Sequence, residues 1–465
     1  MNGLRHVIEP IEGNTDESLV LVLDTGAQLT AEDCAMLQAL YSRSPDSALA
    51  HLDKLAKVGS GKFMGSYYVG YGHKSIGDCG GTTIFIEGVS MLAAKAIQDS
   101  MLYNGQECST RYLDFSTQKF LAPGTANTGR LSQNDNLVLE NWRQFYVSSL
   151  GKVKAHVAEQ FPRQSEEDET VYQKAVNARA FDIMRAFLPA GASTSLSWTT
   201  NLRQASDHLK TLLYHPLLEV RRIAEVTKKA LAKAHPNSFG HQVNTETAEY
   251  YQRWMATSYL YLGSDSHVNG PDEVTVQSHL DWEGLEQYRP LLERRPKGAE
   301  MPKKLGHLGS VTFECLLDFG SYRDLQRQRA VVQQMPLLST EFGFEPWYLA
   351  QLPDSVRAGA LERLGQFENK IMPDLVSRWG LYEAQYFVPM GYQVPCQVTG
   401  DLPALVYLVE LRAGSMVHPT LRRRAQQMAS ALMELGSSAG LVLHVDFSEA
   451  GRFDSRRGRQ DIVSR

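Results

Sequence analysis

The chain has 465 residues, 43% hydrophobic and 21% charged, and its 47 basic and 52 acidic side chains give a formal net charge of -5. That length suits two to three domains with real cores, and the absence of a basic surplus excludes a general nucleic-acid binder. The apolar runs Leu19–Leu23 and Leu402–Leu408 fall far short of the roughly 20 residues of a membrane span, no basic-then-apolar leader opens the chain, and five scattered cysteines without a CxxC pair suit a reducing compartment and offer no metal-ligand spacing.

A cytoplasmic protein with no membrane contact is therefore expected. Ser18 to Asp24 reads as a buried strand, and Ala31 to Ser42 as a helix whose apolar face carries Ala35, Leu37, Leu40 and Tyr41. Val58 to Ser75, with Gly59, Gly61, Gly65, Gly70 and Gly72, reads as turns. Thr82 to Gly88 predicts a strand and Val89 to Met101 a helix. Beyond the polar stretch Arg130 to Asn136, helical spacing runs over Leu137–Phe161, Val171–Leu188, Leu202–Leu213 and Leu217–Ala232. Ala234 to Thr247 reads as a connection, Tyr250 to Tyr261 as a linking helix and Gly263 to Glu273 as a loop, which puts a domain boundary near residue 265.

The second half repeats the first in outline. An apolar stretch at Val311–Leu317 precedes a helix with a basic face at Tyr322–Gln333, and helical runs follow at Val356–Leu381 and Leu402–Leu411. Arg185-Ala-Phe-Leu-Pro189 is echoed by Gln385-Tyr-Phe-Val-Pro389, and His215-Pro216 by His418-Pro419, in the same order. The charged end, Arg452 to Arg465, reads as mobile.

Four motifs could carry chemistry. In Glu107-Cys-Ser109-Thr-Arg111-Tyr112, an extended backbone would put Glu107, Ser109 and Arg111 on one face, where a guanidinium can grip phosphate in bidentate fashion and a carboxylate can accept from a sugar or base. An intramolecular Glu–Arg surface pair is the other reading of the same spacing. Arg323, Arg327 and Arg329 make a basic cluster that suits a polyphosphate, or else a solvated helix face paired with acidic neighbours, the commoner case for such a cluster alone. Arg185 with Pro189, followed by Trp198, Asn201 and Arg203, could face a ligand or the core, and His73 in the Gly-rich loop could touch phosphate or serve the loop alone.

Together these motifs resemble the flavin-dependent thymidylate synthases (ThyX), over roughly residues 65–230 and 300–430. That signature, R-H-R-x-x-S-x-N-E-x-S-x-R-Y, is preceded by G-H-x-S and followed by R-x-x-L-P, T-x-x-x-W-x-x-N-x-R and a downstream L-R. The resemblance implies an α+β fold of two tandem ThyX-like domains, 1–264 and 265–465, helix-rich with a small, mostly antiparallel sheet in each. It implies that Glu107, Ser109, Arg111, Tyr112 and Arg185 bind nucleotide, and that His73, Asn201, Arg203 and His215 lie on the flavin side. In the first copy the R-H-R positions are Asp99, Ser100 and Met101, and Leu209 or Leu212 stands at the downstream arginine.

The second copy shows the reverse. Arg327, Gln328 and Arg329 match R-H-R with glutamine for histidine, and Arg412 matches the arginine that contacts the uracil ring. Met335–Thr340 replaces E-x-S-x-R-Y, Gln385 replaces the R-x-x-L-P arginine, and Asp401 and Pro403 replace N-x-R. Each copy keeps what the other has lost, which implies one site shared by the two copies. The implied reaction is reductive methylation of dUMP to dTMP with FAD, methylenetetrahydrofolate and NADPH. Its alternatives are a flavoenzyme acting at carbon 5 of another pyrimidine nucleotide, and an inactive nucleotide-binding or assembly protein. The implied partners are a small-molecule nucleotide and a second chain, the homodimer forming a pseudo-tetramer.

Overall fold

The computed structural model describes residues 5–449, apart from 16, 25–28, 43, 45–47, 71, 111–112, 124–131, 242, 269 and 271, together with 463–464. Of the expected site residues, Arg111 and Tyr112 lie outside that set, as does most of the tail 452–465.

Strands β1 (Arg5–Pro10), β2 (Leu19–Asp24), β3 (Gly81–Ser90), β4 (Asn104–Glu107) and β5 (Ser193–Asn201) form an antiparallel sheet in the order β1-β2-β3-β5-β4. A second sheet has β6 (Val274–Ser278), β7 (Ser310–Asp318), β8 (Val332–Gln333) and β9 (Gln393–Asp401) in the order β8-β9-β7-β6, again antiparallel. The helices that bear on the site are α1 (Met91–Gln98), α2 (Gln133–Gln160), α3 (Glu169–Met184), α4 (Leu202–Leu212), α5 (Leu218–Ala234), α6 (Phe319–Leu325), α7 (Leu402–Arg412) and α8 (Pro419–Leu435).

Alternation builds the first sheet: Thr82, Ile84 and Ile86 of β3 are buried, and Thr83 and Phe85 between them are half-buried. A bulge between Glu87 and Val89 shifts the register. Gly88 takes a φ of +67° there, and a Cβ would stand 2.6 Å from Ser18 Oγ, so the bulge needs glycine. The bulge leaves Val89 and Ser90 both buried, and the Ser90 hydroxyl caps α1 by accepting from Ala93 N–H at 2.9 Å.

The same device recurs in the second half. Asp318 ends β7 and caps α6, accepting from Ser321 N–H at 2.8 Å. Asn201 caps α4 and Asp401 caps α7, each by accepting from the N–H three residues on. From Arg185 and from Gln385 onward the chain runs through the same elements at the same intervals: a 3-10 turn (Arg185–Phe187, Gln385–Phe387), a strand (Ser193–Asn201, Gln393–Asp401) and a helix (Leu202–Leu212, Leu402–Arg412). This is the layout of a tandem duplication, helix-rich with small antiparallel sheets. It also settles which leucine stands opposite Arg412 in the first copy: it is Leu212, at the end of α4.

The compact units do not follow the copies. One comprises Met1–Cys108, Lys119–Gln133 and Gly191–Tyr259; the other comprises Ser109–Gln118, Asn134–Ala190 and Leu260–Arg465. The expected boundary at 265 separates the two stretches of the repeat, whereas α2, from Asn134 on, and α3 of the first stretch lie in the second unit, where Trp142 packs on Phe367 and Phe145 on Phe187.

Several expected elements differ. The helix predicted over Tyr322–Gln333 ends at Leu325, because the β-branched pair Val331-Val332 leads into β8 on the edge of the sheet, so Arg327, Gln328 and Arg329 occupy a turn. The glycine-bearing stretch read as turns is largely helical, with a π-helix at Met64–Gly70 and a 3-10 helix at Lys74–Cys79. The linking helix starts earlier, at Thr245 behind the cap Asn244, and Leu260–Tyr261 is a short strand. Strands β5 and β9 were not anticipated from the sequence. Among the described residues, no helix is long and apolar enough to cross a membrane.

Candidate functional site

In the first unit, His73 is exposed and leads the 3-10 helix Lys74–Cys79. That helix packs on α4, tied by an Arg203 Nε–Asp78 ion pair at 2.8 Å and by Lys74 Nζ against Asp207 at 3.5 Å. His73, Asn201 and Arg203 thus lie on two helices that pack together, with the Asn201 side chain engaged as the α4 cap and Arg203 holding Asp78.

Glu107 and His215 sit elsewhere than the resemblance implies. β4 ends at Glu107, so the alternating face expected to run on to Ser109 and Arg111 stops there. The Glu107 side chain is 1% exposed and pairs with Lys95 of α1 at 2.8 Å, while Gln98 Nε2 donates to the same oxygen at 3.0 Å. Two buried charges satisfy one another, and the Glu107 carboxylate is engaged inside the fold. His215 is 2% exposed, lies edge-on to Tyr259 and accepts from Leu217 N–H through Nδ1 at 3.0 Å. Burial, with a smaller effect from Arg221, pushes its pKa down to about 3. It is a neutral imidazole that shapes the entry to α5. His418 likewise precedes α8, buried and bonded to Thr420, so the His-Pro echo holds the same place, at the start of a helix, in both copies.

The second unit gathers the rest. Arg185 is 2% exposed, and its Nη2 donates to Ser321 Oγ at 3.0 Å. Asp182, Asp318 and Asp324 lie within electrostatic reach. Arg185 Nε and Asp318 Oδ1 are buried without a hydrogen-bond partner among the described residues, and both side chains border Gly320. On the same helix α6, Arg323 Nη1 approaches Thr110 Oγ1 at 3.5 Å. The half-buried Ser109 precedes Thr110, so the start of the first copy's S-x-R-Y segment lies beside α6 of the second copy.

Where the second copy would need its own phosphate site, the space is closed. Gln385, at the position of Arg185, is 1% exposed; its Oε1 accepts from Leu338 N–H at 2.9 Å and its Nε2 donates to Tyr382 O at 2.8 Å. Leu338 belongs to the segment that replaces E-x-S-x-R-Y.

The turn after α6 places Arg327 about half exposed, with Nε 3.7 Å from Asp324, and Arg329 half-buried. Gln328 is buried. With its amide oxygen turned to the guanidinium of Arg412, Gln328 accepts from Nε at 3.1 Å and from Nη2 at 2.9 Å; the opposite orientation would set donor against donor. The R-x-R turn and the end of α7 therefore meet. Beside them runs a groove of about 740 Å3 lined by Ala330, Asp401, Pro403, Tyr407 and Leu411, with Lys297 and Lys303 also on its wall. Its outer side is fixed by Arg295, which binds both carboxylate oxygens of Glu410, while His444 N–H donates to Glu410 at 2.8 Å. The volume is that of a small-molecule site, and the lining mixes apolar side chains with the cations Lys297 and Lys303 and the carboxylates Glu300 and Asp401. The carboxylate of Asp401 and the ring of Pro403 stand where the first copy has Asn201 and Arg203, so this groove's wall differs from the first copy's.

Sequence reasoning missed Lys95, Ser321 and the groove wall at Lys303 and Tyr407. Lys95 left a signal: a lone cation in Met91-Leu-Ala-Ala-Lys-Ala-Ile97 cannot be buried without a partner. Ser321 left none.

Residues 25–237 match the family model described as Thymidylate synthase complementing protein. The chain is also 25% identical over 448 residues to a UPF0159 protein of Chlamydia muridarum, covering 83% of this chain and 82% of that one. A UPF0159 protein of Chlamydia pneumoniae is 25% identical over 432 residues (82% and 80%), and one of Thermoplasma acidophilum is 23% identical over 477 residues (89% and 95%). Coverage this wide must run through both halves of the chain.

Proposed function

We propose that the protein, whose residues 25–237 match the thymidylate synthase complementing protein family model, is a FAD-dependent thymidylate synthase-like enzyme that methylates dUMP, with methylenetetrahydrofolate as one-carbon donor and NADPH as reductant. One observation carries this reading. A single compact unit collects Ser109, Thr110 and Arg185 from the first copy with Arg327, Gln328, Arg329 and Arg412 from the second, and the second copy's own phosphate position is filled by Gln385. The complementary losses thus leave Ser109, Arg185 and the second copy's arginines in one body, while His73, Asn201 and Arg203 belong to the other.

In this reading Arg327 and Arg329 hold the phosphates of FAD at the mouth of the groove, and the flavin, when bound, supplies the hydride chemistry. Ser109, Arg111 and Tyr112 hold the nucleotide's phosphate and sugar. Arg412 faces the uracil carbonyl and favours the negative charge that builds on the ring. Arg185 acts from beneath, through α6. No side-chain nucleophile is required; Cys108 and Ser109 have no such part. Two such chains would reproduce the four-copy arrangement of the family.

A second reading, a nucleotide-binding protein without turnover, is favoured by the enclosure of Glu107 and Arg185. The visible spectrum and release of tritium from carbon-5-labelled dUMP, with folate and NADPH, separate them. The proposal expects a yellow protein that releases tritium; a protein that stays colourless after added FAD and releases none overturns it. Release from labelled UMP but not dUMP would move the substrate to another pyrimidine nucleotide.

A further inference from the structure

We infer that Gln328 is a positioning residue for Arg412: its amide oxygen locks the guanidinium plane through the two N–H groups on Nε and Nη2. The inference rests on the proposed role of Arg412 but has its own geometry. An arginine stem has several rotatable bonds, and Arg412 stands on the last turn of α7. Two hydrogen bonds to one acceptor fix the guanidinium's rotation as well as its place, because the fork of donors is rigid.

Gln328 is itself held. It is 7% exposed, and Gln333 Nε2 donates to its backbone oxygen at 3.0 Å and to that of Leu325 at 3.2 Å, which braces the turn between α6 and β8. The glutamine also suits this site where a charged partner would not. A carboxylate would make the same fork but neutralise the arginine, and a neutral imidazole offers one acceptor nitrogen and cannot span both donors. The neutral amide orients Arg412 and leaves its charge intact. Glutamine in place of the histidine of R-H-R is thus tied to Arg412 of the same copy. The first copy has Ser100 and Leu212 at the corresponding positions and can form no such pair.

The test is the rate at which phenylglyoxal, an arginine-selective dicarbonyl, labels Arg412 in the full-length chain, read by peptide mass spectrometry against Arg327 as the reference. Gln328→Met removes the acceptor, Gln328→Asn shortens it out of reach, and Gln328→Glu keeps it. In the first two, Arg412 should label at least roughly tenfold faster relative to Arg327, since even one of the two hydrogen bonds to a charged group carries that weight; Gln328→Glu should label no faster than the wild type. An unchanged ratio in whichever of Gln328→Met and Gln328→Asn folds overturns the inference. Adding dUMP separates it from the reading it rests on. If Arg412 responds to Gln328→Met but dUMP gives the wild type no protection, the positioning stands and the pyrimidine role of Arg412 falls.

Discussion

Lys95 and Glu107 show how little of a side chain's role is carried by its place in a motif. Glu107 fits E-x-S-x-R-Y by identity and spacing, yet its carboxylate is enclosed with a lysine four residues into the preceding helix. A buried ion pair that loses one partner leaves an uncompensated charge, at a cost of about 3–5 kcal/mol. Glu107→Gln should therefore destabilise the protein by that order in urea unfolding, and a change within about 0.5 kcal/mol, typical of a surface site, would mean the pair is not buried. His215 has a pH signature. Its pKa in the fold, about 3, lies below that of an unfolded histidine, so between those values the unfolded chain binds the proton and the folded one does not. Its contribution is whole above about pH 6.5 and is lost as pH falls toward 3, at roughly 1.4 kcal/mol per pH unit. His215→Gln should flatten the stability profile over that window while leaving the slope above pH 7 unchanged; an identical profile in both proteins would contradict the assignment.

At the level of elements, segments with a strong apolar period were legible, and segments defined by pairing were not. α4 and α7 lie within a residue of their expected limits because their apolar positions recur at helical spacing. β5, Ser193-Thr-Ser-Leu-Ser-Trp-Thr-Thr-Asn201, is mostly hydroxyl-bearing and gives no apolar run; its strand character comes from pairing on both edges with β3 and β4. The basic cluster after α6 was misplaced for a related reason. Charge spacing at Arg323 and Arg327 suits a helix, but tertiary pairing of β8 with β9 stops the helix at Leu325. The turn into β7 depends on Gly309, whose φ is +123° and whose Cβ would stand 2.2 Å from His279 O. Gly309→Ala should lower the melting temperature by roughly 5 °C or more, since backbone must move to admit the methyl group; an unchanged melting temperature would show that this turn is loose.

For the whole molecule, the repeat was legible and the compact units were not. Ordered echoes such as Arg185–Pro189 with Gln385–Pro389 mark a duplication, and the matching succession of turn, strand and helix bears it out. An apolar helix face does not say which core it enters, so nothing in α2 or α3 announced that both would join the second unit. That placement bears on the functional proposal, because it puts the first copy's Arg185 in the same body as Arg412. The most direct measurement is tritium release from carbon-5-labelled dUMP by full-length Arg111→Ala and Arg412→Ala. Each arginine is assigned to the substrate of the same site although they lie in different copies, so both variants should lose turnover by about 100-fold or more while still folding. Normal activity in either one would contradict the shared site.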